Sequence, residues 1–331
     1  MELLLLLFIP LALGGLFLGG DDNDSSDNTV TPTEPTPETG GETGTGLNDI
    51  LRGSAGDDSL DGGDGNDLIF GYRGDDTLQG GPGDDALDGG IGEDVLYGGT
   101  GEDVLIGAAG DDQLYGGANA DILVGGAGDD TMEGGNGDDT LVGSTGADQM
   151  FGGNGNDVLD GVTPNSVTSL NIGKEEFRAE LADSFRQQIG AAVTDADVGR
   201  FLDDFTSEQG VQAPDGLYGG AGQDSLAGDN GDTLSGGADQ DLFAVNWFPG
   251  HAAVQITDYE AALREEVRIV LDANVIAAPQ FGMRDASDGT GVQVLVGQEI
   301  VATLSGVSAA DLDPRLITMT VQGTAIPAMR L

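Results

Sequence analysis

Aspartate recurs at intervals of nine along this chain of 331 residues, and its carboxylate is the side chain with the clearest chemical use. Carboxylate oxygens are hard ligands, which Ca²⁺ prefers together with the backbone carbonyls of a tight turn. The candidate metal ligands in the first part of the chain are Asp49, Asp58, Asp67, Asp76, Asp85, Asp94, Asp103, Asp112, Asp121, Asp130, Asp139, Asp148 and Asp157. After an interruption, and with one interval shortened by a residue, the candidates continue with Asp215, Asp224, Asp232 and Asp241. The spacing therefore predicts a repeated site for divalent cations.

The residues around each aspartate predict the elements that position it. In a unit such as GGDGNDLIF (62–70), counted from its first glycine, aspartate is at position six and an apolar residue is at position eight. Glycines at positions one, two and four permit a tight turn. Positions seven to nine then form a short strand, whose eighth side chain points inward. Because a single unit cannot bury its one apolar residue, the units must stack.

This pattern resembles the GGxGxDxUx signature of the repeats-in-toxin (RTX) family, a calcium-binding nonapeptide repeat. The resemblance implies a right-handed parallel β-roll with two nonapeptides per turn. It also implies rows of Ca²⁺ ions between stacked turns, on the order of a dozen ions in all. Four residues depart from the pattern: Leu47, Asn119, Ala120 and Ala147. We expect the weakest sites around residues 116–121 and 143–148.

The charge balance and composition exclude several classes of function. The chain has 59 acidic and 11 basic residues, which gives a formal net charge of −48. A nucleic-acid partner is excluded because phosphate binding needs a basic surface. The chain has no cysteine and only one histidine, His251, so thiolate and multi-histidine metal centres are excluded. Calcium ions are the expected partners, because repulsion on this scale opposes compaction unless cations bind.

The fold class that we predict is all-β: a right-handed parallel β-roll solenoid with an inserted helical hairpin and a C-terminal β-rich cap. The hairpin is indicated by Phe177, Leu181, Phe185 and Ile189, which recur every fourth residue. The cap is indicated by apolar strands at 254–259, 267–271, 292–296, 299–304 and 317–321, and it resembles the caps that close RTX rolls. The predicted segments are 1–20 (membrane anchor or signal), 21–43 (acidic Thr/Pro linker), 44–161 (β-roll), 162–214 (hairpin), 215–247 (resumed β-roll) and 248–331 (cap).

The N-terminal apolar run, Leu3 to Gly20, contains no charged residue. Its eighteen residues reach the lower limit for a membrane-spanning helix. It lacks the basic n-region and the small-residue cleavage site of a secretory signal. An uncleaved membrane anchor through residues 3–20 and a cleaved signal are both left open by these residues.

The function that we predict is that of an exported bacterial protein, extracellular or on the cell surface, whose β-roll folds on Ca²⁺ and serves as a structural or adhesive module. We predict no enzymatic activity, because the regular spacing of the carboxylates is already explained by metal binding and no catalytic motif accompanies His251. The alternative is a secreted effector or hydrolase with an unrecognised site in the hairpin or the cap. A third reading is a subunit that docks another protein through the hairpin.

The two outer faces of the roll are predicted to differ. Positions seven and nine point outward, and alternate units belong to opposite sheets. One sheet then presents a contiguous apolar surface, which includes Phe70, Val104, Ile106, Ile122 and Val124. An apolar patch of this size is seldom left in water. We therefore expect the hairpin, the cap or a second copy of the protein to cover it, which makes a homodimer or a protein partner through this face an expectation.

Overall fold

The computed structural model describes residues 41–162, 213–271, 281–321 and 324–326, and within these ranges the chain forms strands and turns with no helix. Each glycine-rich turn is followed by a short strand, so the sequence period becomes a structural period. The strands are β1 (Gly41–Thr43), β2 (Ile50–Arg52), β3 (Ser59–Asp61), β4 (Leu68–Arg73), β5 (Thr77–Pro82), β6 (Ala86–Ile91), β7 (Val95–Thr100), β8 (Val104–Ala109), β9 (Gln113–Ala118), β10 (Ile122–Ala127), β11 (Thr131–Asn136), β12 (Thr140–Thr145), β13 (Gln149–Asn154), β14 (Val158–Asp160), β15 (Gly216–Ala221), β16 (Ser225–Gly228), β17 (Thr233–Ala238), β18 (Leu242–Trp247), β19 (Val254–Ile256), β20 (Glu266–Leu271), β21 (Phe281–Asp285), β22 (Gly291–Val296), β23 (Glu299–Ser305), β24 (Ile317–Val321) and β25 (Thr324–Ile326).

Successive strands alternate between two sheets. The first sheet has the order β1-β3-β5-β7-β9-β11-β13-β15-β17-β19-β23-β22-β21, and the second has the order β2-β4-β6-β8-β10-β12-β14-β16-β18-β20-β24-β25. From β1 to β18, each strand pairs in parallel with the strand two places later, as where Leu105 of β8 faces Leu123 of β10. Two nonapeptides therefore complete one turn, and the chain makes about nine turns. The predicted parallel β-solenoid is confirmed.

The core is a narrow layer between the two sheets. It consists of the position-eight side chains, which stack turn upon turn and are almost completely shielded from water. They are Leu51, Leu60, Ile69, Leu78, Leu87, Leu96, Leu105, Leu114, Leu123, Met132, Leu141, Met150, Leu159, Leu217, Leu226, Leu234 and Phe243. Burial of this continuous stripe is the main apolar contribution to stability.

The solenoid is interrupted after β14 and continues at β15. Residues 163–212, on which the predicted helical hairpin falls, lie outside the described residues. On either side of them the pairing is unbroken, because β13 pairs with β15 and β14 pairs with β16. Gly161 and Asp215 also belong to one turn, since a Cβ on Gly161 would lie 2.8 Å from Asp215 Oδ2. Residues 162–214 are thus an insertion within a single turn.

The strands after β18 extend the same two sheets, and a separate C-terminal cap is not supported. β20 and β24 continue the second sheet in parallel, and β19 and β23 continue the first. Only the last pairs, β21–β22, β22–β23 and β24–β25, are antiparallel. The core side chains of the strands after β18, including Val267 and Val292, join the position-eight stripe. The β-rich segment that the sequence predicts is therefore built onto the solenoid because its strands pair in register with the last repeats.

The N-terminal segments are only partly described. Residues 1–40, which include the apolar run, lie outside the described residues. Residues 41–43, predicted as the end of the linker, instead form β1, because they pair with Ser59–Asp61 one turn later. The described residues include no helix that could span a membrane.

The outer faces of the two sheets differ in exposure. The second sheet carries a buried apolar cluster that includes Leu68, Phe70, Ile106 and Val124, each at most 2% exposed. The partly buried hydrophobic side chains that pack against this cluster all belong to the same sheet. In the first sheet the corresponding aromatic residues are open to solvent, and Tyr97 is 42% exposed. The difference that the sequence predicts between the faces is therefore present in the solenoid.

Candidate metal centre

The position-six aspartates lie at the last residue of each turn and form two straight columns. The first column leads into the first sheet and contains Asp58, Asp76, Asp94, Asp112, Asp130, Asp148, Asp215 and Asp232. The second column leads into the second sheet and contains Asp49, Asp67, Asp85, Asp103, Asp121, Asp139, Asp157, Asp224 and Asp241. All seventeen candidate ligands thus occupy equivalent places, and each faces its equivalent one turn away. Their role as metal ligands stays a prediction.

One oxygen of each carboxylate builds the column. Asp103 N donates to Asp121 Oδ1 at 2.9 Å, and the same bond repeats up both columns at 2.7–2.9 Å. The columns continue across the insertion, since Asp148 N donates to Asp215 Oδ1 and Asp157 N to Asp224 Oδ1, both at 2.8 Å. The Oδ1 atoms are therefore structural acceptors.

The other oxygen, Oδ2, is buried and has no hydrogen-bond partner in thirteen of these aspartates. They are Asp67, Asp76, Asp85, Asp94, Asp103, Asp112, Asp121, Asp130, Asp139, Asp148, Asp157, Asp224 and Asp241. A buried acceptor without a partner is costly, and a buried charge without a counter-charge is more so. A row of such oxygens is the chemistry that a hard cation would satisfy, so these residues fit calcium.

The first two turns differ from the later ones in the hydrogen bonding of the second carboxylate oxygen. Thr45 and Ser54 occupy position two, where most later units have glycine. Thr45 N donates to Asp49 Oδ2 at 2.6 Å, and Ser54 N donates to Asp58 Oδ2 at 2.5 Å. The second oxygens of Asp49 and Asp58 are thus engaged by the protein itself. By contrast, Asp121 and Asp148, in the turns with Asn119–Ala120 and Ala147, keep the free oxygen of a regular unit.

Burial raises the pKa of the column carboxyls from Asp67 onward. Desolvation is the largest cause, and neighbouring acidic groups add to it, while the backbone hydrogen bond to Oδ1 opposes it. The pKa ranges from about 6 for Asp67 and Asp139 to about 9 for Asp121, Asp130 and Asp215. Without a counter-ion, these carboxylates therefore bear an electrostatic cost when they are charged.

Glycine at position one keeps the space around the free oxygen open. A Cβ at Gly98 would lie 2.5 Å from Asp103 Oδ2 and 2.7 Å from the carbonyl oxygen of Gly116. Two acceptor oxygens from adjacent turns thus surround one point, and any side chain there would collide with both. This crowding explains why position one is glycine in every unit from Gly44 to Gly152.

A second set of polar contacts, at position five, was missed by the sequence reasoning. Asp75 N donates to Asp57 Oδ1 and Glu93 N donates to Asp75 Oδ1, both at 3.0 Å, so these bonds run in the opposite direction to those of the columns. Ala147 has no side-chain acceptor but still donates its N–H to Asp129 Oδ1 at 2.8 Å. The signal was visible, since most units have Asp, Asn or Glu at this position.

Two further acidic residues beyond the nonapeptides were also missed. Asp258 accepts hydrogen bonds from Gly236 N at 3.1 Å and Gly237 N at 2.8 Å, at the start of the last nonapeptide turn. Glu265 is fully buried immediately before β20. Neither belongs to a glycine-rich unit, so the nonapeptide pattern does not mark them.

The described residues contain no group of three or more His, Cys, Asp or Glu side chains that could hold a metal ion. An ion between two turns would therefore take one or two carboxylates and otherwise backbone carbonyls, which Ca²⁺ accepts. His251 is half-buried against Phe248, with ring centroids 5.2 Å apart.

The fold and the two columns define a parallel β-solenoid with acidic turns. The family model for the RTX calcium-binding nonapeptide repeat matches residues 43–78, 61–96, 70–105, 97–132, 133–161 and 214–234. The matched residues are thus RTX calcium-binding nonapeptide repeats, and they lie on both sides of the insertion. No curated protein sequence matches the chain.

Proposed function

We propose that the solenoid is a module that folds when Ca²⁺ binds between its stacked turns. The observation that carries the proposal is the set of thirteen buried aspartate oxygens without a hydrogen-bond partner. When bound, Ca²⁺ would supply the positive charge that these oxygens lack. The columns hold the carboxylates in place through Oδ1. The position-one glycines leave Oδ2 and a backbone carbonyl oxygen of the next turn free of side chains, so that both could bind one cation.

The charge of the chain supports coupling between folding and calcium. A net charge of −48 opposes stacking of acidic turns. About a dozen ions would bring about +24, roughly half of what neutrality needs. At low calcium the free energy of folding is therefore unfavourable, and at the millimolar calcium typical of extracellular modules it becomes favourable.

The same argument supports, as part of this proposal, a role outside the cell as an exported structural or adhesive module without enzymatic activity. RTX repeats are typical of exported bacterial proteins. An acidic solenoid that folds only at high calcium fits a role at the cell surface. The burial of the apolar cluster of the second sheet within one chain disfavours that face as the contact with a second copy.

Far-ultraviolet circular dichroism of the purified chain tests calcium-dependent folding. We expect a disordered spectrum in excess chelator and a β-rich spectrum as Ca²⁺ rises through about 10⁻⁴ to 10⁻³ M. Mg²⁺ at equal ionic strength is the control, since it requires smaller, near-octahedral sites. A β-rich spectrum that excess chelator leaves unchanged would overturn the proposal.

A further inference from the structure

The segment Asp258–Glu265 takes the place of a nonapeptide turn after the last repeat. It connects β19 of the first sheet to β20 of the second, as the turn Gly236–Asp241 connects β17 to β18. Glu266, the first residue of β20, pairs with Leu242, the first residue of β18. Glu266 N donates to the carbonyl of Asp241 at 3.0 Å, as Leu242 N donates to that of Asp224 at 2.9 Å. Glu265 therefore holds the position-six place one turn beyond Asp241.

The Glu265 carboxylate, like those of the aspartates, has one oxygen that accepts a backbone hydrogen bond and one that has no partner, although here the donor N–H lies in the same segment and not in the preceding turn. Its Oε2 accepts a hydrogen bond from Glu260 N at 2.7 Å. Its Oε1 is buried and has no hydrogen-bond partner, and the residue is 0% exposed. One turn earlier, Asp241 Oδ1 accepts from Asp224 N at 2.9 Å, while Asp241 Oδ2 is buried and unpartnered. The last repeat turn and the segment after it thus each contribute one unpartnered carboxylate oxygen.

Other contacts hold this segment against the last repeat turn. The Asp258 carboxylate accepts from Ser235 Oγ at 2.7 Å and from the backbone of Gly236 and Gly237. The Gln240 side-chain amide donates to the carbonyl of Arg264 at 2.8 Å. The charged groups that act on Glu265 are Asp241, Asp258 and Glu260, all acidic. These groups leave the negative charge of the Glu265 carboxylate without a counter-charge. A bound cation would supply one.

We propose that Glu265 and Asp241 are the carboxylate ligands of a terminal divalent-cation site, between the last nonapeptide turn and the glycine-free segment Asp258–Glu265. The cation is Ca²⁺, since the donors are carboxylate and backbone carbonyl oxygens. The site closes the second column with a ligand from outside the repeats. This inference rests on calcium binding by the roll.

Native mass spectrometry at saturating Ca²⁺ tests the site, because it counts bound ions. Glu265→Gln keeps the size of the side chain and the acceptor for Glu260 N, and it removes the charge. We expect this variant to bind one ion fewer than the wild-type chain. Glu266→Gln is the matched control, because Glu266 faces Arg268 at 3.4 Å, and it should keep the wild-type count.

A second variant, Glu265→Asp, keeps the charge and withdraws the carboxylate by one methylene. It should keep the β-rich spectrum, with the last ion requiring at least a several-fold higher Ca²⁺ concentration. A wild-type ion count in Glu265→Gln, or wild-type calcium dependence in Glu265→Asp, would overturn the terminal site while the repeat sites stand. A wild-type chain that binds no ions would instead overturn the proposed function.

Discussion

At the residue scale, thirteen of the seventeen column aspartates use the two oxygens of one side chain differently. Oδ1 accepts a backbone N–H from the preceding turn, and the buried Oδ2 has no partner within the protein. This division explains why the aspartates repeat without exception while the residues at position five vary, since Gln, Ala, Gly and Pro occur there as well as Asp, Asn and Glu. A position-five side chain accepts one backbone hydrogen bond on the surface, whereas a position-six side chain must also carry buried charge.

Asp103→Asn should impair calcium-dependent folding much more than Asp49→Asn. Asp103 has a free, buried Oδ2 and neighbours on both sides, whereas Asp49 Oδ2 already accepts hydrogen bonds from Thr45. We expect Asp103→Asn to raise the Ca²⁺ midpoint several-fold, and Asp49→Asn to shift it less than two-fold, at about one kcal/mol per affected contact. Circular dichroism during calcium titration measures both midpoints. Equal shifts would contradict the assignment of free oxygens.

At the element scale, the two sheets are built from the same repeated turn and strand, but their outer faces differ in solvent exposure. Position nine is outward in both sheets, yet Ile106 of β8 is fully buried and Tyr97 of β7 is 42% exposed. On the open face, aromatic rings stack along the sheet, with Tyr97 and Tyr115 centroids 5.0 Å apart. Cross-strand pairs of this kind stabilise a solvent-facing sheet without further cover.

Ile106→Lys should destabilise the solenoid, and Tyr97→Lys should have a small effect. Lysine at position 106 would place a charge inside the apolar cluster of the second sheet, at a cost of at least about 2 kcal/mol. At position 97 the ammonium group stays in water, and only the stacking contribution of about 1 kcal/mol is lost. Urea denaturation at saturating Ca²⁺ measures both changes in the free energy of unfolding. Similar values would indicate that the two faces are equally exposed in solution.

At the scale of the whole molecule, the solenoid is a stack of acidic layers whose stability depends on neutralisation. Protons and calcium ions both neutralise the columns, so pH should matter most when calcium is absent. The column pKa values of about 6 to about 9 lie above the ordinary value of 3.8, chiefly because burial desolvates the carboxylates. The folded state therefore binds these protons more tightly than the unfolded state does.

In calcium-free buffer, the solenoid should become less stable as the pH rises from 5 to 9. Raised carboxyl pKa values contribute stability that is fully present below about pH 4 and is lost as the pH passes through about 6 to 9. Circular dichroism of resin-treated protein should show more β-structure at pH 5 than at pH 9. At saturating Ca²⁺ this trend should disappear or reverse, because protons then compete with the metal. A calcium-free spectrum that stays β-rich over this whole range would contradict the burial of the columns.

The sequence by itself determined the parallel solenoid, its register and the two columns of aspartates. Each nonapeptide encodes its own turn and strand, and its partners lie only two units away, so a local pattern specifies nearly every contact. Asp215 and Asp224 could be placed behind Asp148 and Asp157 across the insertion for the same reason. The tertiary structure alone decided the features that depend on segments without the repeat. These are the joining of the C-terminal strands to the existing sheets and the position of Glu265 behind Asp241. A glycine-free segment has no periodic signal, and only its packing against the last turn gives its carboxylate a place in the column.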